Sequence, residues 1–155
     1  MNCDPLTGQK VQTKKQARVQ RIHLVEDGIE PSFDFKDAGE VPGLFNEIGD
    51  GGSYEAVLFD ESGEQVGTSF NEFEFIKQLG NGDFITELVN VLDFGDGNTI
   101  TIEGTFNVNK FEDLKPARLD VVAGEGIYED VQGKATLAQQ ELDVLDVVDI
   151  DLLLI

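Results

Sequence analysis

Apolar and polar residues alternate along most of this chain with a period of two, most cleanly over Asn98–Asn109. There Ile100, Ile102, Phe106 and Val108 share one face with Gly104, and Thr99, Thr101, Glu103, Thr105 and Asn107 take the other. A period of two with one apolar face predicts a half-buried strand of an antiparallel sheet. The same reading places strands over Val19–Glu26, Ser53–Asp60, Gln65–Leu79, Phe84–Phe94, Ala117–Ala123, Lys134–Gln140 and Leu142–Leu154, which with Asn98–Asn109 makes eight. Glu61-Ser-Gly-Glu64, Gly80-Asn-Gly-Asp83, Gly95-Asp-Gly97 and the segment from Gly124 to Gly133 carry the glycine and polar residues of tight turns. Strand–turn–strand units with no helical period between them predict an all-β, eight-stranded antiparallel barrel over 19–155. Asp27–Gly52, with Pro31 and Pro42, reads as a long connection of the kind that often carries function. Residues 1–18, with Lys10, Lys14, Lys15 and Arg18, read as a flexible tail or as a lid over a barrel mouth.

Parity along each strand sorts inside from outside. Ser69, Asn71, Phe73 and Phe75 share a face, opposite Glu72 and Glu74. Tyr54, Ala56 and Leu58 share another, opposite Val57 and Phe59. Arg21 and His23 share a face of the first strand, which is expected to point outward; inward, they would be polar anchors at a mouth. The last strand is apolar on both faces. One face suits the barrel interior, and the other requires either the chain's own cover or a subunit interface, hence an expected homodimer.

Composition removes many functions. The chain has 155 residues and a net charge of −20, which argues against nucleic acid and anionic membranes as partners. The charge itself reads as solubility or adaptation to salt. No window approaches the ~18 apolar residues of a membrane span, and the start lacks a signal-peptide pattern, so a cytoplasmic location is expected. With Cys3 and His23 alone of their kinds, an internal disulfide, a metal site and a Ser–His or Cys–His nucleophile are not expected. There is no phosphate loop and no Gly-x-Ser-x-Gly elbow, and Gly124-Glu-Gly126 is too short for a dinucleotide fingerprint. What remains is cofactor-independent chemistry in which a shaped apolar cavity holds a substrate, with one or two polar groups.

Three stretches resemble the allene oxide cyclase-like barrel superfamily, which includes plant cyclases, dirigent proteins and bacterial spirotetronate and spirotetramate cyclases. They are Tyr54-Glu-Ala-Val-Leu-Phe-Asp-Glu-Ser-Gly-Glu-Gln-Val-Gly-Thr-Ser69, Phe94-Gly-Asp with Ile100-Thr-Ile-Glu-Gly104, and Val121-Val-Ala-Gly-Glu-Gly-Ile-Tyr-Glu-Asp-Val-Gln-Gly133. The first is most similar to the bacterial cyclases. Plant cyclases carry a Glu-x-Asn pair on the first strand and Ser-Pro after it, where this chain has Glu30-Pro31. The resemblance implies a cyclase promoting intramolecular [4+2] cycloaddition of a linear polyketide-like polyene. A non-catalytic dirigent-like barrel for a hydrophobic small molecule and an allene oxide cyclase-type isomerase stand as alternatives. A self-associating structural protein, suggested by the apolar last strand, is a further reading. Family pattern and alternation together predict a cavity lined by Tyr54, Phe73, Phe75, Ile102, Phe106, Leu137 and Gln139, with Tyr54 as the catalytic hydrogen-bond donor.

Overall fold

The structure, a computed structural model, describes residues 19–34, 47–141 and 144–155. Its strands are β1 Gln20–Asp34, β2 Gly51–Phe59, β3 Gln65–Gln78, β4 Phe84–Asp93, β5 Thr99–Asn107, β6 Ala117–Glu125, β7 Gly133–Glu141 and β8 Val144–Leu154. Each pairs antiparallel with the next. β8 returns to β1, with Gln20 opposite Leu154 and Asp27 opposite Val147, so the eight strands close into a barrel. Closure removes the free edges that an open sheet must protect. The expected fold class is therefore the observed one. No helix among the described residues is long and apolar enough to cross a membrane.

Three details differ from the sequence reading. β1 continues through Asp34, so the first third of the expected Asp27–Gly52 connection is strand. A register shift between Gly28 and Glu30 carries the strand past its irregular residues, and pairing to β2 then holds it, with Pro31 opposite Tyr54. Side-chain parity is lost at such a bulge, which is why the pattern ended early. Second, Val108 leaves the inward face. The Asn107 side chain accepts the Lys110 amide N–H at 3.0 Å and caps a short helix, α1 Val108–Glu112. Third, the segment between Gly124 and Gly133 contains a 3₁₀ turn, Gly126–Tyr128, entered through Gly126 at φ +66°. Residues 1–18, read as tail or lid, lie outside the described residues.

The interior has two unlike ends. Leu24, Leu58, Leu92, Ile100, Val121, Leu152 and Leu154 pack one end solid, and Phe94 and Tyr128 lie against them with ring centroids 5.4 Å apart. Burial of each such aliphatic side chain contributes roughly 1.5–3 kcal/mol, so this end serves mainly as the stabilising core. Near mid-barrel, a β-carbon on Gly104 would stand 2.6 Å from Leu119 Cδ2, so the absent side chain is what lets β6 lie close to β5. The opposite end is aromatic.

β8 is amphipathic rather than apolar on both faces. Val148, Ile150, Leu152 and Leu154 point inward and are buried, whereas Asp149 and Asp151 interrupt the outward face between Val147 and Leu153. The unbroken apolar strip on which the interface reading rested is absent from the described part of this strand. His23 faces outward as expected, on the β1–β8 seam. Its Nδ1 lies 2.6 Å from Asp151 Oδ1, and its Nε2 lies 3.8 Å from Asp149 Oδ1. The bond to Asp151 raises the imidazole above its ordinary 6.5, against an opposing desolvation effect, with the charges of Asp151, Asp149 and Glu61 adding. The sign of the linkage follows. The seam contribution is complete below pH 6.5 and is lost as pH rises through the raised folded value. Thermal melts of His23→Gln and the parent from pH 5 to 9 should differ most at the acid end and converge at the alkaline end. A constant difference would remove this role for His23.

Candidate functional site

The middle of the barrel holds a group of inward-facing polar residues. On β1, Glu26 has the same parity as Ile22 and Leu24 and therefore points inward; it is 1 % exposed. Ser69 and Asn71 of β3 and Asn90 of β4 also point inward, and strand register places Tyr54 opposite Asn71 and Asn71 opposite Asn90. Between β1 and β3 stands Ala56, fully buried and too short to fill the space. Glu26 thus reaches across β2. Its Oε2 accepts the Ser69 hydroxyl at 2.5 Å, the Asn71 amide at 3.1 Å and the Asn90 amide at 3.3 Å.

All three donors converge on one carboxyl oxygen. Glu26 Oε1, Asn71 Oδ1 and Asn90 Oδ1 are buried and have no hydrogen-bond partner among the described residues. Every lysine, arginine and histidine among the described residues lies on the outside of the barrel, so none of these cations offsets the carboxyl. Burial is the largest influence on Glu26 and pushes its carboxyl above the ordinary value of 4.5; the bonds from Ser69, Asn71 and Asn90 oppose this. The carboxyl is thereby biased toward holding a proton.

Tyr54 stands beside this cluster at the aromatic end. Burial, and secondarily the charge of Glu26, pushes its phenol well above 10. Yet the residue is only half-buried by surface exposure. The Tyr54 and Phe73 rings lie 6.4 Å apart at 58°, Phe75 stacks on Phe84 at 4.9 Å, and Phe106 tilts against Phe111 of α1 at 5.3 Å. Tyr54, Phe73 and Phe106 are half-buried, and Phe75 is buried.

The seven residues predicted to line the barrel are all on its inner wall, but they do not form one group. Tyr54 and Phe73 adjoin the polar cluster. Ile102 and Leu137 are 0 % and 3 % exposed and belong to the packed core. Gln139 is buried at the level of Glu26, since Val148 of β8 lies opposite both. The expectation of an apolar cavity with one or two polar groups understates the interior: Glu26, Ser69, Asn71, Asn90 and Gln139 make a polar belt. Parity offered the missing signal, because Glu26 shares a face with Leu24, and Asn90 sits between Leu88 and Leu92 on an otherwise apolar face. A solvent-open groove of about 380 Å³ runs along β2–β4 beside Gly51, Glu72, Phe73, Glu74 and Glu87.

The family model for the allene oxide cyclase barrel-like domain matches residues 36–152. The chain belongs to this family. No curated protein matches the chain in sequence. Among solved structures, this allene oxide cyclase-like barrel is similar to a pyocyanin demethylase, at 17% identity and a TM-score of 0.69, covering 88% of this chain and all of that one. It is similar to AbnU, an exo-specific intermolecular Diels–Alderase, at 19% identity and a TM-score of 0.70, covering 89% of this chain and 98% of that one. It is also similar to the pterocarpan synthase dirigent protein GePTS1, at 14% identity and a TM-score of 0.69, over 88% of this chain and 89% of that one. At such identities the likeness concerns the fold, and the chemistry of this allene oxide cyclase-like barrel has to be argued from its own interior.

Proposed function

We propose that this barrel is a cofactor-independent cyclase that folds a linear polyketide-like polyene and promotes an intramolecular [4+2] cycloaddition. The observation that carries the reading is the juxtaposition of the Tyr54–Phe73 wall with the buried Glu26 cluster. Aromatic walls hold a flexible polyene with diene and dienophile in contact, which replaces a search through conformations by a bound geometry. A phenol that stays protonated, and a carboxyl biased to do so, can each donate a hydrogen bond to a carbonyl conjugated with the dienophile. That bond strengthens as charge moves onto the carbonyl oxygen in the transition state, which lowers the barrier. The similarity to a Diels–Alderase supports the reading at the level of fold.

The test is product formation from a linear tetronate or tetramate with and without the protein. Faster formation of one cyclised stereoisomer is the expected result. Tyr54→Phe, which keeps the ring and removes the donor, should lower kcat by about 10-fold or more with little change in fold. Binding of the linear compound without turnover would instead make the protein a dirigent-like carrier. The Glu26 cluster favours a second reading over pure shaping: a cyclising isomerase in which the carboxyl transfers a proton. A solvent isotope effect on turnover that disappears in Glu26→Gln would select it.

A further inference from the structure

We propose that the barrel selects ligands whose polar head donates hydrogen bonds, an N–H or enolic O–H group, through the acceptors Asn71 Oδ1 and Asn90 Oδ1. The inference deepens the functional reading above and rests on the barrel interior being the ligand site.

Among the described residues, Glu26 Oε2 receives its hydrogen bonds from Ser69 and the two amides, so both amide nitrogens point toward the carboxyl. Each amide oxygen is consequently turned away from it. Asn71 and Asn90 are 0 % exposed and Glu26 is 1 % exposed, so their free oxygens are not bonded to bulk water. Buried acceptors left unmade are costly, and a cluster of them on adjacent strands is unusual in a native interior. They occur beside Tyr54, which strand register places opposite Asn71. A ligand entering past Tyr54 and Phe73 with a donor at its tip would satisfy acceptors that the protein leaves open. A head bearing only acceptors, such as a lactone or a tertiary amide, would leave both amide oxygens unmade. Discrimination of this kind is large because the penalty falls on buried protein groups when the donor is missing.

The probe is 2-quinolone, a flat aromatic secondary lactam, compared with N-methyl-2-quinolone, which has the same ring and carbonyl and lacks the donor. Binding is followed by fluorescence titration of the full chain at pH 7. The expected result is at least 10-fold tighter binding of 2-quinolone. Asn90→Leu, close in volume and apolar, should remove most of that preference while keeping affinity for the N-methyl compound, and Asn71→Leu provides a second variant should Asn90→Leu not fold. Equal affinities for the two probes, binding of neither, or a preference that survives in both folded variants would overturn the inference. Failure of the cyclase reading is distinguishable, because it would appear as absent turnover of linear tetronate or tetramate while the quinolone preference and its dependence on Asn90 persist.

Discussion

Glu26→Gln should make the protein more stable at alkaline pH and cripple its chemistry at the same time. The amide is nearly isosteric, and its oxygen can accept from Ser69, Asn71 and Asn90 as Oε2 does. Its nitrogen then occupies the place of the unpartnered Oε1. What is lost is the carboxyl. Because burial raises the folded value above 4.5, the stability associated with the protonated form is complete below pH 4.5 and is lost as pH rises through the folded value. Glutamine carries no such loss. The melting temperatures of variant and parent should therefore run close together below pH 4.5 and separate above it. The gain should be on the order of 1 kcal/mol, about 2–4 °C for a chain of this size. Turnover should fall by about 10²-fold, the typical loss when one oriented donor to a developing negative charge is removed. Differential scanning calorimetry from pH 4 to 9, with rates on the same samples, reads both effects. Unchanged turnover would reduce Glu26 to a structural residue. An equal melting temperature at pH 8 would mean that the carboxyl's charge does not burden the fold.

The coupling of stability and chemistry at one buried acid also explains what could be read from the sequence. The alternation through Ile100, Ile102, Gly104 and Phe106 displays β5 directly, because a half-buried strand writes its two environments on alternate residues. The turn glycines mark where strands reverse, and together these features gave the barrel. They also placed Tyr54 and Phe73 inside, since parity needs no knowledge of neighbours. Parity placed Glu26 and Asn90 inside by the same logic, yet Glu26 is one of 31 acidic residues and stood at the end of a strand whose pattern breaks at the Gly28 bulge. Its meaning depends on who meets it. That depends on Ala56 being short, on Asn71 lying opposite Asn90, and on a closure that brings residue 26 within reach of residues 69, 71 and 90. Register between distant strands is a property of the whole barrel, and no local window contains it. Helix α1 escaped for the opposite reason, being too short for a helical period to appear before it ends.

If one end of the barrel is a core and the other a site, truncations at the two ends should have opposite signatures. Ile100→Ala removes a fully buried side chain from the packed end, among Leu92, Val121 and their neighbours. The lost transfer energy and the cavity left behind should cost about 2–5 kcal/mol, roughly 5–15 °C in melting temperature at the usual conversion. Turnover per folded molecule should stay within about twofold, since the cavity lies beyond the polar belt and the Tyr54–Phe73 wall is untouched. Phe73→Ala acts at the other end. The ring is half-buried and pairs with Tyr54, so its loss should cost less stability, on the order of 1 kcal/mol. It removes half of the wall that would hold a polyene in a reactive fold. Because productive geometry is what such a wall supplies, kcat/KM should fall by about 10²-fold. Urea melts and initial rates on both variants measure the contrast. A Phe73→Ala protein with full activity would move the reaction away from the Tyr54–Phe73 wall. An Ile100→Ala protein that melts like the parent would show that the closed end is not what holds the barrel together.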